Sequence, residues 1–331
     1  MGTRLTINVP EDFVLARDAC SYGYFLLAPN EWDVPTQTHR CTLGLSEGPA
    51  RVTIAQGGSG ETLDMSRWAS VAGTALRIAC SRALSKPEQR EVREKVSRML
   101  RLDEDAAHLA EFHELDPRWK ASGRGRLFRS PTLFEDVVKT VTSCNVQWPG
   151  TIAMNERLCA VLGTSAGKDV ENAFPTQDKL ARARATTLRA RCRVGYRDAR
   201  LIELAKMFRA GEIDEAWLTD PANSDERVMK FLVSLPGVGP YAAANILQLL
   251  GRYTRLPLDT ESVRHGRAVL GFDGTDASVM NQVHAHFSPF GQHSFRSYWF
   301  EMWAFYEAKR GPSHTWERRT TGRTFTASQL K

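Results

Sequence analysis

The residues best suited to chemistry lie in one stretch, Leu235–Arg264, which reads LPGVGPYAAANILQLLGRYTRLPLDTESVR. Pro236-Gly237-Val238-Gly239 is a turn whose two glycines can adopt positive φ and present backbone N–H groups together. An apolar helix opens at Pro240 or Tyr241, where proline suits the first turn. Amides converging on a helix N-terminus make a seat for a phosphate. Asp259 follows eighteen residues after Tyr241, among Leu256, Pro257, Leu258 and Thr260. A phosphate seat with a lone carboxylate at fixed distance suits chemistry on a nucleic acid. The plainer reading is that Asp259 caps a helix over 260–270, and one carboxylate can do both.

These groups need a frame. Residues 1–65 read as β-rich, with alternating runs over 5–9, 23–27, 38–45 and 50–55 separated by turns such as Ala28-Pro29-Asn30. The period changes from Ser66. Residues 87–101 place Val92, Val96, Met99 and Leu100 on one helical face, and a second helix over 103–115 has Asp103 as its expected cap. Further helices are expected over 133–144, 151–162, 199–209, 225–234, 241–250, 260–270, 278–286 and 295–309. The pattern predicts an α+β chain in three parts: an antiparallel sheet unit with helices (1–120), a two-lobed all-helical body (121–310, with a hairpin near 231–250) and a mobile basic tail (311–331).

The net charge of +6 permits a polyanionic partner, and its distribution says more. Residues 181–200 carry seven arginines against one acid, Asp198, although such runs are also common on solvated faces. The six cysteines are scattered without a C-x-x-C pair, as expected for reduced thiols. Histidines show no metal-ligand spacing, so neither a metal nor a cofactor is expected. No run approaches about 18 apolar residues, so no membrane span is expected.

LPGVG with its spaced Asp259 resembles the helix-hairpin-helix DNA glycosylases, the superfamily of the bacterial 3-methyladenine and eukaryotic 8-oxoguanine enzymes. Lys95–Leu100 and Arg129–Glu135 are similar to segments leading into the first helical lobe, and the likeness extends over roughly 90–310. It implies an N-terminal sheet, two helical lobes and a cleft between them. It also implies excision of a modified base from double-stranded DNA, in a bacterial cytoplasm or a nucleus, with no protein partner. Some relatives carry an iron–sulfur cluster on cysteines after the catalytic domain. No cysteine follows Cys192 here.

Residue by residue, the resemblance makes Asp259 catalytic and places Gly237, Val238, Gly239 and Tyr241 at the DNA backbone. Asn145 takes the position that enters the duplex gap, where its amide offers donors and an acceptor to an unpaired base. Gly195-Tyr196-Arg197 matches a segment in which the tyrosine wedges between base pairs and the arginine reads the orphan base. The plainer readings are a helix end at Asn145, a core ring at Tyr196 and a surface charge at Arg197. Gly150 stands where the 8-oxoguanine enzyme has a second orphan-base arginine. Tyr241 stands where bifunctional relatives have the Schiff-base lysine, which implies a monofunctional enzyme that hydrolyses the glycosidic bond. Tyr241, Asn245, Glu301 and Phe305 fall at base-pocket positions, and an acidic aromatic pocket suits an N-alkylated purine. An oxidised base, a lyase using Lys206 or Lys230, and a non-catalytic DNA-binding protein are the alternatives.

Overall fold

The computed structural model describes residues 2–57 and 71–324. Alternation builds the sheet. Strands β1 (Arg4–Ile7), β2 (Glu31–Asp33), β3 (Thr38–Leu43), β4 (Ala50–Gln56) and β5 (Leu76–Cys80) form one antiparallel sheet in the order β1-β5-β4-β3-β2. Leu5 lies opposite Ile78, Val52 opposite Cys80 and Cys41 opposite Val52, so one face is buried and largely apolar, with His39 and Gln56 its polar members. Two expectations change. Residues 23–26 form a 3-10 turn and not a strand, because Tyr24, Phe25, Leu26 and Leu27 are all buried and a strand would alternate. Leu76–Cys80, placed beyond the change of period, is instead the strand between β1 and β4.

The helices start where side chains satisfy their free amides. Helix α1 (Lys86–Met99) opens on a Ser85/Glu88 capping box, and α2 (Ala106–Leu115) opens on Asp105. Asp103 does not cap α2; it pairs with Arg129. Helix α3 (Leu133–Ser143) is capped by Thr132, and α4 (Trp148–Leu162) begins with Pro149 in its first turn. Then follow α5 (Asp198–Ala210), α6 (Asp225–Ser234), α7 (Pro240–Leu249), α8 (Thr260–Ala268), α9 (Asp276–Phe287) and α10 (Ser294–Arg310). Among the described residues no helix is long and apolar enough to cross a membrane.

Two apolar cores result. One joins the sheet face to α1, α2 and the returning helices α8 to α10; the other is made by residues 133–250 together with Ala28. The sheet therefore shares its core with the C-terminal helices, while α3 to α7 form a lobe of their own. The crossing between them is pinned by Arg98, whose guanidinium pairs with the buried Asp136 at 2.7 Å and with Glu215 at 3.0 Å. The segment after α10 also departs from expectation. Residues 311–324 pack back on the body, with Trp316 1% exposed, because an indole of that size has an apolar seat against Trp303. The remainder of the expected tail, 325–331, lies outside the described residues.

Candidate active site

Helices α6 and α7 form the hairpin, joined by Leu235–Gly239 with Leu235 and Val238 buried. Gly237 has φ of 80°, and a Cβ there would approach Arg200 Cδ at 3.1 Å, so turn conformation and close packing both favour glycine. Gly239 differs from the expectation: at φ −92° it is the ordinary extended N-cap of α7, and nothing lies within 4 Å of the place a Cβ would take. Its side of the turn is open, with the first amides of α7 behind it.

Asp259 is the N-cap of α8 and also lines a cavity of about 1360 Å³ between the two cores. Its Oδ1 accepts from Glu261 N at 2.9 Å, Ser262 N at 3.1 Å and Ser262 Oγ at 3.3 Å. Tyr298 Oη lies 2.6 Å from Ser262 Oγ, extending the chain of hydroxyls into α10. Burial raises the Asp259 carboxyl above its ordinary value, against the pull of those donors and of the Tyr241 hydroxyl. A carboxylate desolvated yet held by helix amides suits the stabilisation of a developing cation. The capping role and the cavity position coexist.

The structure brings Asn145 and Tyr196 together at the rim. Asn145 is exposed, has φ of 51°, which asparagine tolerates, and donates Nδ2 to Tyr196 Oη at 3.3 Å. Tyr196 is 52% exposed, so it is no core ring. Arg197 is not free to read a base. It is buried and donates Nε to Val141 O at 3.1 Å, Nη1 to Val194 O at 3.2 Å and Nη2 to Cys144 O. It fixes the turn that carries Asn145. The exposed guanidinium at the rim is Arg200, one helical turn on, 5.1 Å from the Tyr196 ring centre.

The opposite wall comes from α10, and the helix phase corrects two assignments. Tyr298, Trp299, Met302, Trp303 and Tyr306 line the cavity, whereas Glu301 and Phe305 do not. Glu301 lies on the flank of the helix, bound to His265 Nε2 at 2.9 Å and Arg118 Nη1 at 2.5 Å. Phe305 meets His265 edge-on at 5.7 Å. Positions 301 and 305 sit one residue out of phase with the lining face. Asn245 does line the cavity, with Oδ1 accepting from Tyr22 Oη at 3.0 Å and Nδ2 donating to Tyr241 O at 3.1 Å.

Sequence reasoning missed Tyr22, Trp148 and Trp316, which come from segments far apart in the chain. It also missed Glu261, a second lining carboxylate held by Arg264 and by Tyr306 Oη at 3.1 Å. The repeat 298/299, 302/303, 306 was the available signal for α10. Nothing local announced Tyr22 or Trp316. In all, ten aromatic side chains and no lysine line the cavity, among the described residues. No cluster of three or more metal-binding side chains occurs among them either.

No protein-family model matches the chain, and no curated protein matches it significantly. Solved structures do. The 3-methyladenine DNA glycosylase from Archaeoglobus fulgidus superposes with a TM-score of 0.64 at 18% identity, over 90% of this chain and 98% of that one. The fold is that of the helix-hairpin-helix DNA glycosylases. An 8-oxoguanine glycosylase/lyase from Clostridium acetobutylicum gives 0.63 at 16% identity, covering 91% and 97%. MBOgg1 in complex with a low-affinity DNA ligand gives 0.64 at 17%, covering 92% and 96%. At these identities the likeness is one of fold, and it extends over 90–92% of this chain.

Proposed function

We propose that the protein is a monofunctional DNA glycosylase that flips a modified base, by preference an N-alkylated purine, out of duplex DNA and hydrolyses its N-glycosidic bond. The observation that carries this reading is Asp259, a desolvated carboxylate at a helix N-terminus, inside an aromatic-walled cavity with no lining amine among the described residues. The shared fold, in structures that include MBOgg1 with a DNA ligand, supports DNA as the partner.

The hairpin amides of Gly237 and Gly239 seat a backbone phosphate next to the lesion, with the Val238 amide held inside the turn by Leu235 O at 3.1 Å. Asn145 and Tyr196 fill the gap left in the stack, which offsets a flipping cost of about a few kcal/mol. The flipped base stacks on a wall of rings that pack on one another, Tyr22 on Trp299 at 4.7 Å and Trp299 on Trp303 at 5.3 Å, where a cationic purine gains from the π faces. As the C1′–N bond breaks, its electron pair leaves with the base. A base that carried a positive charge departs neutral and needs no acid. Asp259 stabilises the oxocarbenium character left on the sugar and takes a proton from the water that attacks C1′. A lysine would instead form a Schiff base and nick the strand. Tyr241, which occupies that position, cannot.

The test is a panel of duplexes, each with one modified base, resolved with and without hot alkali. Breaks that require alkali, strongest at alkylated purines, are the expected result. Nicking without alkali overturns the monofunctional reading. Tight binding without release from any duplex leaves a DNA-binding protein.

A further inference from the structure

Residues 312–324 run from the end of α10 across both lobes. Ser313 N donates to Glu307 Oε1 at 2.9 Å, and the His314 carbonyl accepts from Trp32 Nε1 of β2 at 2.8 Å. Arg318 then bridges three segments. Its Nε donates to Leu26 O at 3.0 Å, and its two terminal nitrogens grip Glu171 at 2.8 and 3.1 Å. A further bond reaches Asn30 O. Gly322 packs so closely on α4 that a Cβ would lie 2.9 Å from Ile152 Cδ1. Between these anchors sits Trp316, its ring 5.1 Å from Trp303 and its Nε1 donating to Gly311 O at 2.8 Å.

Trp316 is 1% exposed and Trp303 5%, yet both line the cavity that holds Asp259, so they form its deep end. We infer that residues 312–324 are a strap closing that end, and that Trp316 sets the size of the base the cavity admits. The inference rests on the glycosylase reading for its ligand class, a modified purine. An indole is large and rigid, and here its N–H and both chain flanks are fixed. A base with an extra fused ring would press on Trp303, which Trp316 backs at 5.1 Å, whereas a methylated base would stop short of it. Apolar pockets discriminate by roughly 10–200-fold per added carbon when the wall does not yield. The three polar anchors at Ser313, His314 and Arg318, separate from the indole itself, keep this wall from yielding.

The test compares wild type, Trp316→Ala and Trp316→Phe by equilibrium dialysis of two free bases, 3-methyladenine and 1,N6-ethenoadenine, with release from duplexes carrying each lesion measured in parallel. In wild type the smaller base binds tighter. In Trp316→Ala the preference shifts toward the larger base by about tenfold, with Trp316→Phe in between. A merely structural role would weaken both bases together. A size preference unchanged within about twofold in both variants, a parallel loss of both bases, or wild type that binds neither base overturns the inference. Should Trp316→Ala fail to fold, the Phe variant gives the same readout. Free-base binding needs no turnover, so a size shift without release from any duplex retains the strap and sinks only the glycosylase reading.

Discussion

The two sides of the cleft are built in opposite ways. One side is contiguous: the hairpin turn, helix α7, Asp259 and the first turn of α8 fall within Leu235–Ser262. It works largely through backbone amides, whose positions follow from local turn and cap rules. The other side is assembled from Tyr22, Trp148, one face of α10 and Trp316, drawn from nearly the whole length of the chain. On the proposed function, the bond-making groups are thus local and the groups that would choose a base are tertiary. Such a cleft can alter its substrate through distant substitutions without disturbing Asp259.

The sharpest break between the sides is Asp259→Asn. Release of the base should fall by about 10²–10³-fold or more in single-turnover assays, with affinity for the duplex retained. Stability should move the other way. Because burial raises its folded pKa, the fold favours the protonated acid; that stabilisation is full below the unfolded value of about 3.9 and is lost as pH rises through the folded one. At neutral pH the ionised Asp259 therefore costs stability, and Asn removes that cost while still capping α8. Melting temperature at pH 7 should hold or rise. A marked fall would recast Asp259 as chiefly structural. The same sign predicts an acid limb in the wild-type rate profile, with its midpoint above the ordinary aspartate value.

Rim substitutions come next. Tyr196→Ala should slow release from a fully paired site by about 10–100-fold, and much less from a mismatched site where flipping is easier. An equal loss on both would place Tyr196 in the chemistry. Arg197 and Arg200, one turn apart, should separate cleanly. Arg197→Ala strands three carbonyls and should lower stability by about 1–3 kcal/mol in denaturant titrations. Arg200→Ala should leave stability alone and reduce the salt dependence of DNA binding by about one phosphate's worth.

This asymmetry explains what could be read from the chain. LPGVG and Asp259 were legible because a turn, a proline and a cap act within a few residues of themselves. Alternation made β4 legible and was overlooked in β5, whose buried face is as regular, while at Tyr24–Leu27 burial on all sides erased it. Arg197 could be placed but not its burial, since the carbonyls it binds on α3 are over fifty residues away. Trp316 sat in a polar, basic stretch whose composition resembles a mobile tail. Its ring packs on Trp303 of α10 while the chain around it is held by strand β2 and α4, so no window of sequence contains its seat.

The smallest effect should come from Glu301→Gln, and it tests the helix phase on which the distinction between the two sides depends. A turn of α10 holds about 3.6 residues, so neighbouring positions differ by about 100°. That angle carries Met302 and Tyr306 into the cavity and leaves Glu301 and Phe305 on the flank. Burial pushes the Glu301 carboxyl up, but the His265 and Arg118 contacts outweigh it and hold the value below the ordinary one. Its stabilisation is present above the unfolded pKa and lost as pH falls through the folded one, the reverse of Asp259. Replacing it should cost about 0.2–1 kcal/mol at neutral pH, with Arg118 44% exposed and screened by solvent. Base release should stay within about twofold of wild type, since a pair of that strength on the helix flank does not touch the cavity. A large loss of release at unchanged stability would mean that α10 turns its other face to the base when DNA is bound.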